Sequence, residues 1–554
     1  MTSLSELQLR VHVDRLMAGA AGKPGCAIGV SRGADLLLAL GYGLASVEHA
    51  QPITARSVFR IASVTKQFTV AAALLLAAQG WLNLQADMRK YLPEFSTFRY
   101  TVRVEHMMRN TSGLPDFLEL LRLGGLGLDA RLDRAAMLQC LLRNRHLSFE
   151  PGAQFLYSNS NFLLLGLIVE RICGQSLADF LQAQVFDPLG MNQTRMLVQC
   201  DLPLPGLATP YLVDPDGALR RAMHGFEHGG EGGLVSSALD LLLWGAELLD
   251  PRILPAEVTQ QLARATRLNN GAPSAYARGL EHGKWAGMAC IGHGGLWPGY
   301  RSEFLQLPQA QLTVVVLSNS SSINPHRLAR EVALAALDRN GAPQRRAAAE
   351  PPAGAATRER MCGEWLSSEL PALLTLAEQG GELEATQWGV TFALALQADG
   401  SYLPWRGAYE FRLRPLPDDT LEVDLGAGHL ARFHRLAGAA SLPADLSGNY
   451  HSADLEVQWS ISVEPMAIAA APGDANLQLQ VAGPLVRSHT PWSLRAVAPD
   501  LFEITAPGYG ISATMLARAL RDASGQLLGL EVCSSRIRRL RFARMPNAAG
   551  PAVV

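Results

Sequence analysis

Apolar positions along the 554-residue chain fall into a few strong patterns. Leu4, Leu7, Val11, Val13 and Leu16 predict an amphipathic helix at the start. Cys26–Val30 and Leu36–Leu40 flank the turn Ser31-Arg32-Gly33-Ala34-Asp35, a strand–turn–strand pattern. The run Val70–Ala78 reads as a buried helix, which places Ser63 at or near its N-terminus. Helical and loop patterns dominate from there to about Pro251. Ala277–Gly279, Met288–Ile291, Ser302–Leu307 and the Leu-, Thr- and Val-rich Leu312–Leu317 then read as strands, and Asn324–Leu337 is helical again. Strands at both ends with helices between them predict an α+β domain over 1–340, with an antiparallel sheet assembled from both ends and an inserted helical region.

Residues 341–359 are rich in Ala, Pro and Gly and lack apolar periodicity, so they are expected to be a linker. Beyond them the texture changes to short strands and turns. One unit, 360–438, opens on Gly363-Glu364-Trp365 and closes on Leu430–Leu436; another, 443–546, opens on Gly448-Asn449-Tyr450 and closes on Leu540–Arg544. Each carries an internal tryptophan after a turn (Trp405, Trp492) and ends on an Arg-Phe strand. This repetition predicts two copies of one antiparallel β-barrel. The second copy is longer, and its surplus is expected in a loop such as Ala506–Gly510.

The balance of 48 basic against 50 acidic residues, net charge −2, excludes an electrostatic nucleic-acid binder. Seven scattered cysteines without C-x-x-C spacing read as free thiols of a reducing compartment. The first ten residues lack a signal-peptide pattern, and the longest apolar runs fall short of the roughly 20 residues a membrane span needs. The expectation is a soluble cytoplasmic protein with no membrane partner, and with neither cofactor nor metal.

The chemistry centres on Ser63-Val64-Thr65-Lys66. A spacing of three places a hydroxyl and an amine on one helical face, with Cβ atoms roughly 5–6 Å apart. A lysine disfavoured as an ammonium becomes a base for the serine proton, and a helix N-terminus favours the resulting oxyanion. Alone, the pair also fits a capping serine and a solvated lysine. Two further segments supply partners: Tyr157-Ser158-Asn159, in a loop at a helix start, and His293-Gly294-Gly295, following a strand.

S-x-x-K, Y-x-N and H-x-G in this order resemble the three active-site elements of the serine β-lactamase/penicillin-binding-protein fold family. His106–Leu114, Pro188–Met191 and Gly230–Ser237 agree with that resemblance, which covers about residues 5–340. The twin barrels, the H-x-G element and the missing export pattern look most like the family's D-stereospecific aminopeptidases. The resemblance implies a homodimeric hydrolase releasing N-terminal D-residues, D-alanine preferred, from small peptides, amides and esters. The alternative it leaves is an esterase or a β-lactam- or penicillin-interacting, carboxypeptidase-like hydrolase of the same fold. It further implies Ser63 as nucleophile, Lys66 and Tyr157 sharing the proton transfers, Asn159, His293, Gly294, Gly295 and Leu296 at the substrate, and backbone N–H groups of Ser63 and Leu296 as oxyanion donors. For the substrate amine, Glu231, Asp500 and Glu503 are the candidates, and Ala506–Gly510 the barrel loop expected to limit the cleft.

Overall fold

Seven strands carry the central sheet: β1 (Cys26–Arg32), β2 (Asp35–Tyr42), β3 (Tyr276–Ala277), β4 (Leu280–Trp285), β5 (Met288–Trp297), β6 (Tyr300–Leu307) and β7 (Leu312–Ser318). Their order is β3-β4-β5-β6-β7-β1-β2, antiparallel throughout. The ends of the domain meet at β1 and β7, where Ile28 lies opposite Val316 and Val30 opposite Val314. Alternation along these strands sends one set of side chains to each face. Ile28, Val30, Val314 and Val316 pack under the helices Glu6–Leu16 and Pro325–Ala336, through Leu9, Val13, Leu328 and Val332. Ala27, Val315 and Leu317 face the other way, into a larger core with the helices Thr65–Ala78, Asn159–Cys173 and Ala238–Leu249. The α+β domain is as the patterning predicts, with the sheet drawn from both ends of the domain.

The computed structural model describes residues 6–337 except 96–97, 128–129, 215 and 286, and residues 358–546 except 368, 370–371, 380, 389, 398, 405–410, 425–429, 437, 439, 464–476, 484–485, 487–489 and 507–512. The expected linker 341–359 thus lies, but for its last two residues, outside the described residues, as do Trp405 and all of the expected cleft loop except Ala506. Among the described residues no single helix is long and apolar enough to cross a membrane.

Two closed eight-stranded antiparallel barrels follow, from Gly363–Ser367 round to Leu430–Arg435 and from Gly448–Ser452 round to Leu540–Arg544. They close alike. Trp365 donates from Nε1 to the Met361 carbonyl (2.9 Å), and Tyr450 donates from its hydroxyl to the Leu446 carbonyl (2.5 Å), each reaching four residues back. Arg435 donates to the Cys362 carbonyl (2.8 Å) and Arg544 to the Ser447 carbonyl (3.1 Å), each from the last strand to the residue before the opening glycine. Those glycines, Gly363 (φ +131°) and Gly448 (φ +148°), hold a backbone that L side chains rarely adopt, beneath the guanidinium.

The second barrel sits on the α+β domain at the short helix Phe117–Leu123. Trp459, stacked on Phe542 with ring centroids 3.8 Å apart, donates to the Leu123 carbonyl (3.1 Å). The first barrel packs on the second, through Leu373 against Val497, Leu501 and Leu516, with Glu364 accepting from Arg495 (2.9 Å).

Candidate active site

Ser63 lies in a single 3₁₀ turn, Ala62–Val64, that runs directly into the helix Thr65–Ala78. From Ser57 to Leu76 it is the one residue that is not buried. The preceding Ala62 has φ +48°, a left-handed conformation that costs an alanine about 1–2 kcal/mol. The surroundings hold it there: Ile61 N–H donates to the Leu234 carbonyl (3.1 Å), and Ser302 Oγ donates to the Ile61 carbonyl (2.8 Å). A strained, tethered turn thus aims one hydroxyl outward from an otherwise closed helix.

Lys66 is wholly buried one turn on, its Nζ 3.0 Å from Ser63 Oγ, 2.8 Å from Asn159 Oδ1 and 2.6 Å from the Glu231 carbonyl. Burial is the main reason its pKa is lowered to about 7, with Arg536 pushing the same way while Glu231, Asp116 and Glu281 oppose. A neutral amine has two N–H bonds and one lone pair. With the N–H bonds given to Asn159 and Glu231, the lone pair is left for the Ser63 hydroxyl. Asn159 is itself held by Asp116, whose Oδ2 accepts both its backbone N–H (2.7 Å) and its Nδ2 (2.8 Å).

Tyr157 precedes the helix Asn159–Cys173 and lies with its ring centroid 5.0 Å from Lys66 Nζ. Burial raises its pKa, so the phenol keeps its proton at neutral pH, and a hydrogen bond with Ser63 partly offsets the rise. His293, on β5, stands 6.1 Å from Tyr157 between ring centroids. Its Nδ1 faces the Gly294 carbonyl (2.6 Å) and its Nε2 the Tyr276 hydroxyl (3.1 Å), an arrangement met by a neutral ring protonated on Nδ1 and accepting from Tyr276. Burial, reinforced by Lys66, lowers its pKa to about 3. The register of β4 with β5 ends at Gly292, so residues 293–297 run past the serine turn on that side. A Cβ on Gly295 would stand 2.2 Å from the Ile61 carbonyl and 2.0 Å from Ser302 Oγ, so only glycine lets β5 approach so closely. Leu296 follows, its side chain 51% exposed at the rim.

A serine, a buried amine, a phenol and the H-x-G strand therefore share one cleft, and a model of the Beta-lactamase family matches residues 11–338. This chain belongs to the β-lactamase family. A D-aminopeptidase of Brucella ovis is 27% identical over 535 residues, 94% of this chain and 96% of that protein. One from Gluconobacter oxydans is 29% identical over 322 residues, 58% of this chain and 60% of that protein. Among solved structures, the octameric penicillin-binding protein homologue from Pyrococcus abyssi matches with a TM-score of 0.56 and 22% identity, over 78% of this chain and 100% of that one. The D-amino acid amidase from Ochrobactrum anthropi SV3 matches at 0.51 and 22%, over 60% of this chain and 98% of its own. The protein is a hydrolase of the serine β-lactamase fold.

Of the residues singled out in the sequence, Ser63, Lys66, Asn159, Tyr157 and His293 are brought together, Gly295 packs against the Ile61 carbonyl that precedes the serine turn, and Gly294 and Leu296 flank Gly295 on the same strand. The three acids considered for the substrate amine do not present carboxylates to the cleft. Glu231 turns its carboxylate onto the Gly229 N–H (2.9 Å) and offers Lys66 only its carbonyl. Asp500 pairs with Arg521 and Glu503 with Arg495 in the second barrel. Three residues went unnoticed. Asp116 carried a signal, an Asp three residues before Glu119 at a helix start, and its Oδ1 does cap the Glu119 N–H (3.0 Å). Tyr276 and Arg536 carried none, because nothing local distinguishes an aromatic or an arginine that will meet a remote site. Among the described residues no group of three or more His, Cys, Asp or Glu side chains is arranged to hold a metal ion.

Proposed function

We propose that the protein is an acyl-transferring serine aminopeptidase or amidase that removes N-terminal D-amino acids, D-alanine preferred, from short peptides, amides and esters. The observation that carries this reading is the Lys66 Nζ contact with Ser63 Oγ, in a pocket whose burial lowers the amine's pKa to about 7 and so leaves much of it unprotonated near neutral pH. Ser63 Oγ bonds to the substrate carbonyl carbon as its proton passes to Lys66. The oxyanion is held by the backbone N–H groups of Ser63 and Leu296. On collapse the C–N bond breaks, and a proton relayed through Tyr157 goes to the departing amine. Water then attacks the acyl-enzyme by the reverse proton path and frees the acid and Ser63.

The fit to D-aminopeptidases along nearly the whole chain supports the choice of substrate end. For the substrate ammonium the candidate becomes Glu281 on β4. Its charge acts on both Lys66 and Tyr157, the two groups that handle the serine proton. A homodimer working in the cytoplasm completes the proposal, and seven free thiols suit a reducing compartment.

The test is hydrolysis of D-Ala- and L-Ala-p-nitroanilide. The D-substrate should turn over at least about tenfold faster, and Ser63→Ala should remove about 10³-fold or more of that rate. Equal rates for the enantiomers, or none with either while short-chain esters are cleaved, would favour the esterase alternative. Glu281→Gln should raise KM for the aminoacyl anilide and leave that for an uncharged ester unchanged.

A further inference from the structure

The turn Ser534–Arg539, between the second-barrel strands Leu527–Cys533 and Leu540–Arg544, reaches the catalytic cleft. It is a braced loop. Ser534 N–H donates to the Ile537 carbonyl (2.9 Å), Arg536 N–H to Ser534 Oγ (3.2 Å), and Arg538 N–H to Ser148 Oγ of the catalytic domain (3.3 Å). The Arg538 guanidinium lies over Trp388 of the first barrel, 5.7 Å from its ring. Ile537 is buried in the core shared with the catalytic domain. From this support the Arg536 guanidinium lies 5.1 Å over the Tyr157 ring, with Nη1 3.6 Å from Asp116 Oδ2.

Asp116 is wholly buried, and its Oδ2 is the atom that fixes Asn159, which in turn fixes Lys66. A continuous polar chain therefore runs from Arg536 through Asp116, Asn159 and Lys66 to Ser63. The second barrel grips the other end of the same helix as well, through Trp459 on the Leu123 carbonyl, and Ser534 hydrogen-bonds Glu119 in its first turn.

We infer that Arg536 is a positioning residue for the hydrolytic reaction, supplied by the second barrel, which fixes Asp116 and the Tyr157 ring so that the Ser63–Lys66 pair is competent only with that barrel in place. The charges facing Lys66 and Tyr157 fit this role. Glu231, Asp116 and Glu281 come from three different segments of the catalytic domain and favour a charged lysine; Arg536 opposes them. Tyr276 and His293, on β3 and β5, are neutral neighbours whose protonation burial fixes. Without Arg536 the acids prevail, Lys66 holds its proton to higher pH, and Asp116 is left buried beside one fewer cation.

The inference rests on Ser63 being the nucleophile, so the experiment uses p-nitrophenyl acetate, which requires no particular amino-acid specificity. Full-length Arg536→Ala, Arg536→Gln and Arg536→Lys are compared with the parent and with Ser63→Ala, after melting curves establish which are folded. We expect kcat to fall about 10- to 100-fold in Arg536→Ala and Arg536→Gln with KM changed less than about threefold. The acid limb of kcat/KM should move up by about half a pH unit or more. Arg536→Lys should restore most of the limb position. An unmoved limb in whichever neutral variant folds, or a loss confined to KM, overturns the inference while leaving Ser63 in its role. Ester turnover that survives in Ser63→Ala overturns the nucleophile assignment instead.

Discussion

The two barrels are the same object put to different uses. Both open on Gly-x-aromatic, both send that aromatic's polar atom to the carbonyl four residues back, and both close with an arginine over the opening glycine. These features belong to the barrel's own closure, and they recur because each copy meets the same physical problem of ending without an open sheet edge. Contacts with the rest of the chain differ. The second barrel has Trp459 at the Leu123 carbonyl and the loop carrying Arg536 over Tyr157, whereas the first barrel touches the second, through Leu373, Glu364 and, beneath Arg538 of that loop, Trp388. A repeated fold therefore says little about which copy serves the active site; the few side chains at its surface decide that.

Paired substitutions can break this contrast. Trp459→Ala removes an indole buried between the barrel interior and the helix Phe117–Leu123, and is expected to cost about 3–5 kcal/mol. It should also lower kcat/KM about tenfold or more in whatever fraction remains folded, since the Arg536 loop loses its seating. Trp365→Ala in the first barrel should destabilise that barrel by a similar amount, yet leave kcat/KM of the folded enzyme within about twofold. Calorimetry alongside steady-state kinetics measures both, and equal kinetic damage from the two would erase the distinction.

The pH profile sharpens it further. Lys66 must be neutral to accept the serine proton, and its pKa is lowered to about 7, so activity rises with pH through that value. Below it, kcat/KM should drop about tenfold per pH unit. Trp365→Ala, away from the Arg536 loop, should keep this limb where it is; a shift would mean that the first barrel's interior also acts on the site. The smallest effect is expected from the closing arginines. Arg544→Ala and Arg435→Ala each remove hydrogen bonds to backbone carbonyls and should cost about 1–2 kcal/mol apiece in melting experiments.

The chain itself determined whatever depends on near neighbours. Helical spacing put Ser63 and Lys66 on one face, alternating apolar runs made the sheet strands, and the Gly-x-aromatic repeats announced two barrels, because short-range periodicity decides these things. Tertiary structure decided what depends on desolvation and on meetings between distant segments. Lys66 is a base because burial strips its solvent, His293 is a neutral strut because burial and the nearby Lys66 disfavour its charge, and Glu231 serves through its carbonyl because its carboxylate is drawn back to Gly229. Asp116 and Arg536 lie on different domains and share no pattern in the chain. Their pairing exists only once the second barrel has docked, since a single long-range contact leaves no periodic trace in the residues that make it.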